Sequence, residues 1–248
     1  MLYELRQYDV PLLTFYIERR ELDKLTYTIE WVNDEKKHLL PIGLTPDSEG
    51  LSRWLKSRVI PKNREFVDQI LARSGLNGSD VMGIINVCKG LSLNDSYWVV
   101  EKGFDGKFAD YNLYENKFTR TLALIAYTGF GSNGKSGFTS SPEYTTNGML
   151  RKCWRRIDGK IYLYKGGTSG AANTGNEPYS EYYAAEIAEA MGISHVAYNL
   201  SKWKGTLCST CELFTDINTS FVPMYRFNQA GGLAETARFL KTLGQEFY

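Results

Sequence analysis

The chain has 248 residues, a length that suits one large domain or two small ones. Hydrophobic residues make up 43% of it and charged residues 23%, as is ordinary for a folded, soluble protein. The net charge of +1 excludes a global basic field that would attract nucleic acid or an anionic membrane, although local patches stay possible. No apolar run has the length of a membrane span, and charges interrupt the N-terminal segment where a secretory signal would lie.

The four cysteines are too few for a disulfide scaffold in a chain of this size. Cys208 and Cys211 form a single C-x-x-C pair with no second pair to complete a zinc site. Their surroundings read as a strand, in which residues three apart lie on opposite faces. We therefore favour structural thiols over a metal or redox site, and we expect a cytoplasmic protein with reduced thiols.

Residues 1 to about 140 read as a first subdomain with both strands and helices. The segments LTFYIERR and LTYTIEWV alternate in polarity and predict strands, and DEKK predicts a polar turn. A helix is expected over FVDQILARSGL, with Gly75 as its stop, and another from about Asp80. A strand is expected at 97–100, and ENKFTRTLALIAYTG is expected to be helical.

A glycine-, asparagine- and serine-rich stretch places a soft boundary near residue 140, and residues 141–248 form the second subdomain. It begins with a hairpin of LRKCWRRID and IYLYKGG, joined at Gly159–Lys160. A glycine- and asparagine-rich loop follows from Gly166 to Asn176 and leads into a strong helix over PYSEYYAAEIAEAMGI. Two further strands are joined at Lys204–Gly205, and a last helix lies near the C-terminus.

The helix over PYSEYYAAEIAEAMGI has an apolar side and an internal glutamate. The helical period places Ala184, Ile187, Ala188 and Met191 on one face. Glu181 lies one or two turns from the alanines, so its carboxylate can face the sheet.

Lys165 lies at the exit of an apolar strand, directly before two glycines. ATP phosphates need backbone N–H groups at close range, a cation on a rigid strand and a helix carboxylate that holds this cation. Lys165 suits the role of the cation, and Glu181 suits the role of its partner. Gly148 would cover the phosphates, with Thr146 and Lys152 beside it. A hairpin, a lysine at a strand end, a helix with a glutamate and two strands follow the order of a protein-kinase N-terminal lobe.

Each of these residues also has an ordinary structural interpretation. A lysine at a strand end commonly reaches solvent, and an Asn-Gly pair such as that at Gly148 is a common turn. The segment GGTSGAANTG has the composition of a phosphate cradle but lacks the spacing that ends in Lys-Ser/Thr, so we expect a loop there. The basic run RKCWRR is expected to form a solvated face of a strand, although its arginines could attract phosphate.

Four motifs point to a known family: TTNGMLRKCWRR, IYLYKGG, NEPYSEYYAAEIAEAMGI and WKGTLCSTCELFTDI. The stretch from about Thr145 to Pro223 resembles the HipA-like serine/threonine kinases, of the short type related to bacterial toxin and effector kinases. GLSLNDSYWV and FADYNLYENKF are similar to upstream segments of such proteins, so the resemblance covers most of the chain from about residue 50. It implies an α+β architecture in which a small β-rich and helical unit precedes a kinase-type N-lobe with an antiparallel sheet and one main helix.

The resemblance also implies an activity, the transfer of the ATP γ-phosphate to a protein hydroxyl with Mg²⁺. In such kinases the segment that matches TTNGMLRK is the phosphate loop, the lysine that matches Lys165 contacts ATP phosphates, and the glutamate that matches Glu181 pairs with it. The strand that matches CELF passes the adenine. This places Glu212, Phe214 and the backbone of Leu213 at the hinge.

The sequence departs from the family in its catalytic loop. That loop carries an aspartate base and a metal-binding asparagine in an Asp-x-His-x-x-Asn run, and a later aspartate binds magnesium. Neither His38 nor His195 follows an aspartate at the required spacing, and the family's loop lies after the helix expected near Leu233. Without base and metal ligands, phosphoryl transfer lacks the electrostatic stabilisation that supplies most of its rate. We therefore expect the N-terminal part of a kinase, with the C-lobe absent and no activity alone.

Two alternatives stay open at this stage. The chain could be a non-catalytic module that partners a separate kinase subunit, a cognate antitoxin or a repressor. It could also be a nucleic-acid-associated regulator, but its near-neutral charge and the lack of a helix-turn-helix argue against direct nucleic-acid binding. No membrane partner is expected.

Overall fold

The computed structural model describes residues 1–19, 25–131, 140–169, 175–223, 226 and 233–242. Within these ranges the chain is α+β, with two four-stranded antiparallel sheets and seven α-helices. The strands are β1 (Leu2–Gln7), β2 (Val10–Arg19), β3 (Leu25–Val32), β4 (Tyr97–Glu101), β5 (Lys152–Ile157), β6 (Lys160–Gly166), β7 (Asn199–Trp203) and β8 (Thr206–Glu212). The helices are α1 (Ser48–Lys56), α2 (Val67–Ala72), α3 (Val81–Cys88), α4 (Phe108–Tyr111), α5 (Arg120–Thr128), α6 (Glu177–Ala190) and α7 (Leu233–Thr242).

The first sheet has the order β3-β2-β1-β4, so β4 returns to pair with β1 after a 3-10 helix and three α-helices. The strands predicted for LTFYIERR and LTYTIEWV correspond to β2 and β3. DEKK does not form a simple turn but lies in a 3-10 helix, Asp34–Leu39. The side chain of Asn33 caps this helix by accepting a hydrogen bond from the Lys36 N–H at 3.2 Å.

The second sheet has the order β5-β6-β8-β7, and α6 lies in the connection from β6 to β7. The hairpin turn lies one residue earlier than predicted, at Asp158–Gly159, and Lys160 already pairs with Ile157. Both turn residues have positive φ, 49° at Asp158 and 84° at Gly159. An Asp-Gly pair favours this turn because its twist matches that of the flanking strands.

Helix α6 packs on the second sheet mainly through β8. Its sheet-facing side contains the buried Pro178 and Ala185 and the half-buried Glu181. Ile187 and Met191, from the predicted apolar face, are instead 59% and 67% exposed. The spacing of the sheet-facing residues follows the helical period. The side of α6 that packs on the sheet is thus not the side that the apolar residues of the sequence indicated.

One core cluster draws on both sheets. It includes Leu5 and Phe15 of the first sheet and Cys153 and Tyr164 of the second, and α5 packs against β5. Residues from both sides of the boundary near residue 140 therefore share a core, and the division into two subdomains stays a prediction. A second cluster surrounds Trp98. The four cysteines are buried and free. Among the described helices, none has both the length and the hydrophobicity that crossing a bilayer requires.

Candidate functional site

Lys165, near the end of β6, forms an ion pair with Glu181 of α6. Ser209 of β8 donates a hydrogen bond to the other carboxylate oxygen of Glu181. Lys165 and Ser209 are register partners, so their side chains leave the same face of the sheet. The Lys165 ammonium also lies 5.6 Å from the ring centroid of Tyr198. Burial lowers the pKa of Lys165, because the charged form loses solvation.

A second lysine lies directly across the strand pair. Lys152 is the register partner of Lys165, so both amines are on the same face of the sheet. Lys152 is only 7% exposed, and its Nζ donates to the backbone oxygen of Asn147 at 2.8 Å. Burial, together with the positive charges of Arg64 and Lys165, lowers the pKa of Lys152 to about 7. The charged form of Lys152 is therefore costly in this environment.

The loop before β5 covers Lys152. Gly148 has a φ of 93°, and a Cβ added there would lie 2.3 Å from Lys152 Nζ. A side chain at Gly148 would therefore strain the backbone and collide with the amine. Thr146, at the start of the loop, forms two side-chain hydrogen bonds. Its hydroxyl donates to the Pro142 oxygen at 2.6 Å and accepts from the Trp154 indole at 3.0 Å.

Residues from the N-terminal unit fix this loop. The fully buried guanidinium of Arg64 donates to the backbone oxygens of Thr146 at 3.2 Å and Lys152 at 2.6 Å. The next residue, Glu65, donates its backbone N–H to the Met149 oxygen at 2.8 Å. Two adjacent residues of the α1–α2 connection therefore hold the loop at its start, its middle and its end.

A fully buried carboxylate lies beneath the loop. Glu143 accepts the backbone N–H of Trp154 at 2.8 Å, and its other oxygen lies 4.0 Å from a guanidinium nitrogen of Arg64. That oxygen has no hydrogen-bond partner among the described residues. Burial raises the pKa of Glu143 to about 7, and the charge of Arg64 only partly opposes the shift.

The site cluster is defined here as Arg64, Lys152, Lys165, Glu143 and Glu181. Arg64 and Lys165 are cations and Glu181 is an anion, whereas burial brings the pKa values of both Lys152 and Glu143 to about 7, so each of these two groups is partly neutral near pH 7. A lysine ammonium has three donors, and Lys152 uses one of them within the described part of the chain. A buried cation that lacks acceptors is stabilised by an anion. The cluster can therefore bind an anionic group.

The structure brings together five of the eight residues predicted for the site, Thr146, Gly148, Lys152, Lys165 and Glu181. The three predicted hinge residues lie toward the other end of β8. Glu212 comes three residues after Ser209, a separation of about 10 Å along a strand.

The predicted hinge residues make contacts away from the site cluster. The half-exposed carboxylate of Glu212 pairs with Lys160 at 2.9 Å. Leu213 donates its backbone N–H to the Ile161 oxygen at 2.8 Å, and Phe214 is 53% exposed. Their contact with an adenine stays a prediction.

Three residues of the site were missed in the sequence. The sequence predicts a strand that includes Ser209, but only the register of β8 with β6 shows that Ser209 lies beside Glu181. Arg64 and Glu143 lie before the motifs, and no local pattern marks either of them. Their role depends on how the N-terminal unit packs against the loop before β5.

The run RKCWRR is not the solvated face that its alternation predicted. Lys152 and Cys153 are buried. The guanidinium of Arg155 lies on the ring of Tyr164, 4.6 Å from its centroid, and Arg156 donates to backbone oxygens of the segment 113–116. Tertiary contacts therefore cover part of this strand, and Trp154, Arg155 and Arg156 stay partly exposed.

The C-x-x-C pair is split between two environments. Cys208 lies near Tyr127 and Ser201, whereas Cys211 lies near Tyr198 and Lys165. Across the described part of the chain, no three His, Cys, Asp or Glu side chains are grouped so that they could hold a metal ion.

Comparison with known proteins does not assign a family. No family model matches the chain, and no curated protein matches it. The likeness to HipA-like kinases therefore depends on the motifs quoted above.

Removing the guanidinium of Arg64 should destabilise the protein. We expect Arg64→Met to lower the free energy of unfolding by about 3–5 kcal/mol, because Glu143 and two backbone oxygens lose their buried partner. Arg64→Met/Glu143→Gln should recover about 1 kcal/mol or more, because a neutral amide is less costly to bury than an unpaired carboxylate. Denaturant unfolding at pH 8 measures both differences.

Arg53→Met is the matched control, because Arg53 pairs with Glu49 at an exposed position of α1. It should change the free energy of unfolding by less than about 0.5 kcal/mol. Equal losses for Arg64→Met and Arg53→Met would contradict the structural role of Arg64.

Proposed function

We propose that the site cluster binds the phosphates of ATP and that the chain is the N-terminal portion of a HipA-like serine/threonine protein kinase. One observation carries the proposal: an ion-paired strand lysine, Lys165, lies beside a second buried lysine, Lys152, beneath a glycine with positive φ. The pair of Lys165 with Glu181 corresponds to the strand lysine and helix glutamate that protein kinases need in place for phosphoryl transfer.

The topology supports the same proposal. The sheet order β5-β6-β8-β7 places the lysine strand β6 in the interior, where it is rigid. Helix α6 is the next element of the chain after β6, and it brings its glutamate to the lysine. This is the arrangement expected from the family resemblance.

The residues present fit the triphosphate of ATP. Lys152 and Lys165 supply two amines on one face of the sheet, and the absence of a side chain at Gly148 leaves room for the Lys152 amine beneath the loop. When bound, ATP would supply the transferable γ-phosphoryl group, and these side chains would bind and orient its phosphates. Among the described residues, no three His, Cys, Asp or Glu side chains are grouped so that they could hold a metal ion, and the resemblance places the magnesium ligands of such kinases in a catalytic loop that this sequence does not match. The proposal therefore assigns nucleotide binding to this chain and assigns it no phosphoryl-transfer step.

ATP binding should depend on Lys165. Calorimetry should detect ATP binding by the wild type, and Lys165→Ala should weaken it by about tenfold to a hundredfold, because a charge-assisted hydrogen bond is lost. Lys165→Met, which retains much of the apolar stem, should behave alike. Lys202→Ala, at an exposed position of β7, is the control and should bind as the wild type does.

Two results would refute the ATP-binding proposal. One is the absence of ATP binding by the wild type. The other is binding of equal strength by the wild type and Lys165→Ala.

ATP binding should also take up a proton on Lys152. With a pKa of about 7, Lys152 is mostly neutral at pH 8 before ATP binds. Phosphate oxygens favour the charged form, raise the pKa of Lys152 and protonate it. Calorimetry at pH 8, in buffers of different ionisation enthalpy, should therefore report an uptake of up to about one proton per ATP.

The sign of the pH dependence follows from this uptake. As pH rises from 7 to 9, ATP affinity should fall by up to about tenfold per pH unit. Lys152→Met should remove most of the proton uptake and flatten the affinity profile. An uptake that is unchanged in Lys152→Met would show that another group takes the proton.

The second candidate is a non-catalytic module that binds a separate kinase subunit. It is favoured by the exposed apolar ridge of α6, formed by Tyr179, Tyr183, Ile187 and Met191, which are 41–67% exposed. Exposed apolar surface of this kind marks protein contacts. Under this alternative, the chain alone binds no ATP, and Ile187→Glu disrupts its complex with the kinase subunit.

A further inference from the structure

A concave surface of about 620 Å³ lies between α5 and β5. Its volume is in the range of small-molecule and cofactor sites, about 300–1,000 Å³. Five cationic side chains line it, and Asp158 is its one acidic lining residue. We call this surface the basic groove, and its cations are Lys117, Arg120, Arg155, Arg156 and Lys204.

The basic groove concentrates a charge that the chain as a whole does not have. The chain carries a net charge of +1, whereas the lining of the groove carries five cations and one carboxylate. Within the described ranges, none of these five cations forms an ion pair with a carboxylate. A concave surface with one sign of charge focuses its field and attracts anions. Net charge averages over the chain, so it could not reveal this groove.

Arg155 supplies a planar donor group in the groove. Its guanidinium carbon lies 4.6 Å from the ring centroid of Tyr164 and 4.7 Å from that of Trp203. The rings restrict the guanidinium, and its N–H groups have no hydrogen-bond acceptor among the described residues. A guanidinium held in this way can donate to a phosphate and present its plane to a nucleobase.

Arg156 and Phe118 form a second planar contact on the lining. Arg156 donates to the backbone oxygens of Leu113, Tyr114 and Asn116, and its guanidinium carbon lies 5.5 Å from the ring centroid of Phe118. Arg155 and Arg156 are consecutive, so they point to opposite faces of β5. Both still reach the groove, since β5 is an edge strand of its sheet.

We propose that the basic groove binds single-stranded nucleic acid. The exposed Lys117, Arg120 and Lys204 contact phosphates, and an unstacked base lies against the planar group of Arg155 and Trp203. Single-strand binding sites combine a cationic groove with such planar stacking surfaces. A duplex keeps its bases stacked inside, and an acidic peptide has no base to stack, so neither uses both features of the lining.

The basic groove meets the site cluster at Trp154, which lines the groove and donates hydrogen bonds to Glu143 and Thr146, but its charged groups are separate. None of its five cations belongs to the cluster, whose lysines project from a different part of the second sheet. The inference therefore does not depend on ATP binding, and Lys165→Ala should bind nucleic acid as the wild type does.

The test measures anisotropy of a fluorescein-labelled, mixed-sequence 12-nucleotide RNA between 50 and 200 mM salt. We expect the wild type to bind and Arg120→Gln/Lys204→Gln to bind about tenfold or more weakly, because two phosphate contacts are lost. The slope of log affinity against log salt should become shallower by about 1.4. Lys36→Gln/Lys37→Gln removes the same charge at exposed positions of the 3-10 helix and should change affinity less than about twofold.

A second variant separates stacking from charge. Arg155→Lys keeps the charge but loses the planar group, so it should weaken RNA binding by about fivefold or more. Arg155→Lys should not change the binding of a polyglutamate whose charge equals that of the RNA, because polyglutamate has no base to stack. A single-stranded DNA of the same sequence distinguishes RNA from single strands in general, and binding of either supports the groove.

Four outcomes would overturn the proposal. The first is a wild type that retains neither single strand in 50 mM salt. The second is an equal loss of affinity in the groove variant and the surface control. The third is binding of polyglutamate or duplex DNA as tight as that of the single strands. The fourth is wild-type affinity of Arg155→Lys for RNA.

Discussion

The candidate site depends on one buried cation, Arg64. Its guanidinium donates to the backbone oxygens of Thr146 and Lys152, which flank the loop before β5, and it lies 4.0 Å from the carboxylate of Glu143. These contacts set where β5 begins and hold Gly148 above the Lys152 amine. Arg64 also adds a positive charge that lowers the pKa of Lys152. The same residue therefore provides the shape of the site and part of its electrostatic potential.

The register of β5 and β6 completes the site. It places Lys152 opposite Lys165, so two amines share one face of the sheet. Glu181 forms an ion pair with Lys165, whereas among the described residues no carboxylate forms an ion pair with Lys152, and the charge of Glu143 only partly opposes the lowering of its pKa. A charged Lys152 is electrostatically unfavourable here, and in the free protein the pKa of Lys152 is lowered as a result. An anionic ligand in contact with Lys152 would stabilise its charged form. The repulsion that lowers the pKa of Lys152 and the proposed binding of phosphates would thus have the same physical origin.

The sequence predicted local features well and long-range ones poorly. The hairpin, the helix of Glu181 and the two following strands follow from polarity period and turn residues, because these signals lie within about ten residues of each other. The side of α6 that faces the sheet, the burial of Lys152 and the contacts of Arg64 depend on how distant segments pack. Arg64 lies 88 positions before Lys152, and nothing in either segment indicates their contact.

The most direct test is a crystal structure of the chain with a non-hydrolysable ATP analogue. We expect phosphate oxygens within hydrogen-bond distance of the amines of Lys152 and Lys165, beneath Gly148, with the ion pair to Glu181 kept. Phosphates bound only in the basic groove, or a complex in which neither lysine contacts the nucleotide, would contradict the assignment of the site cluster.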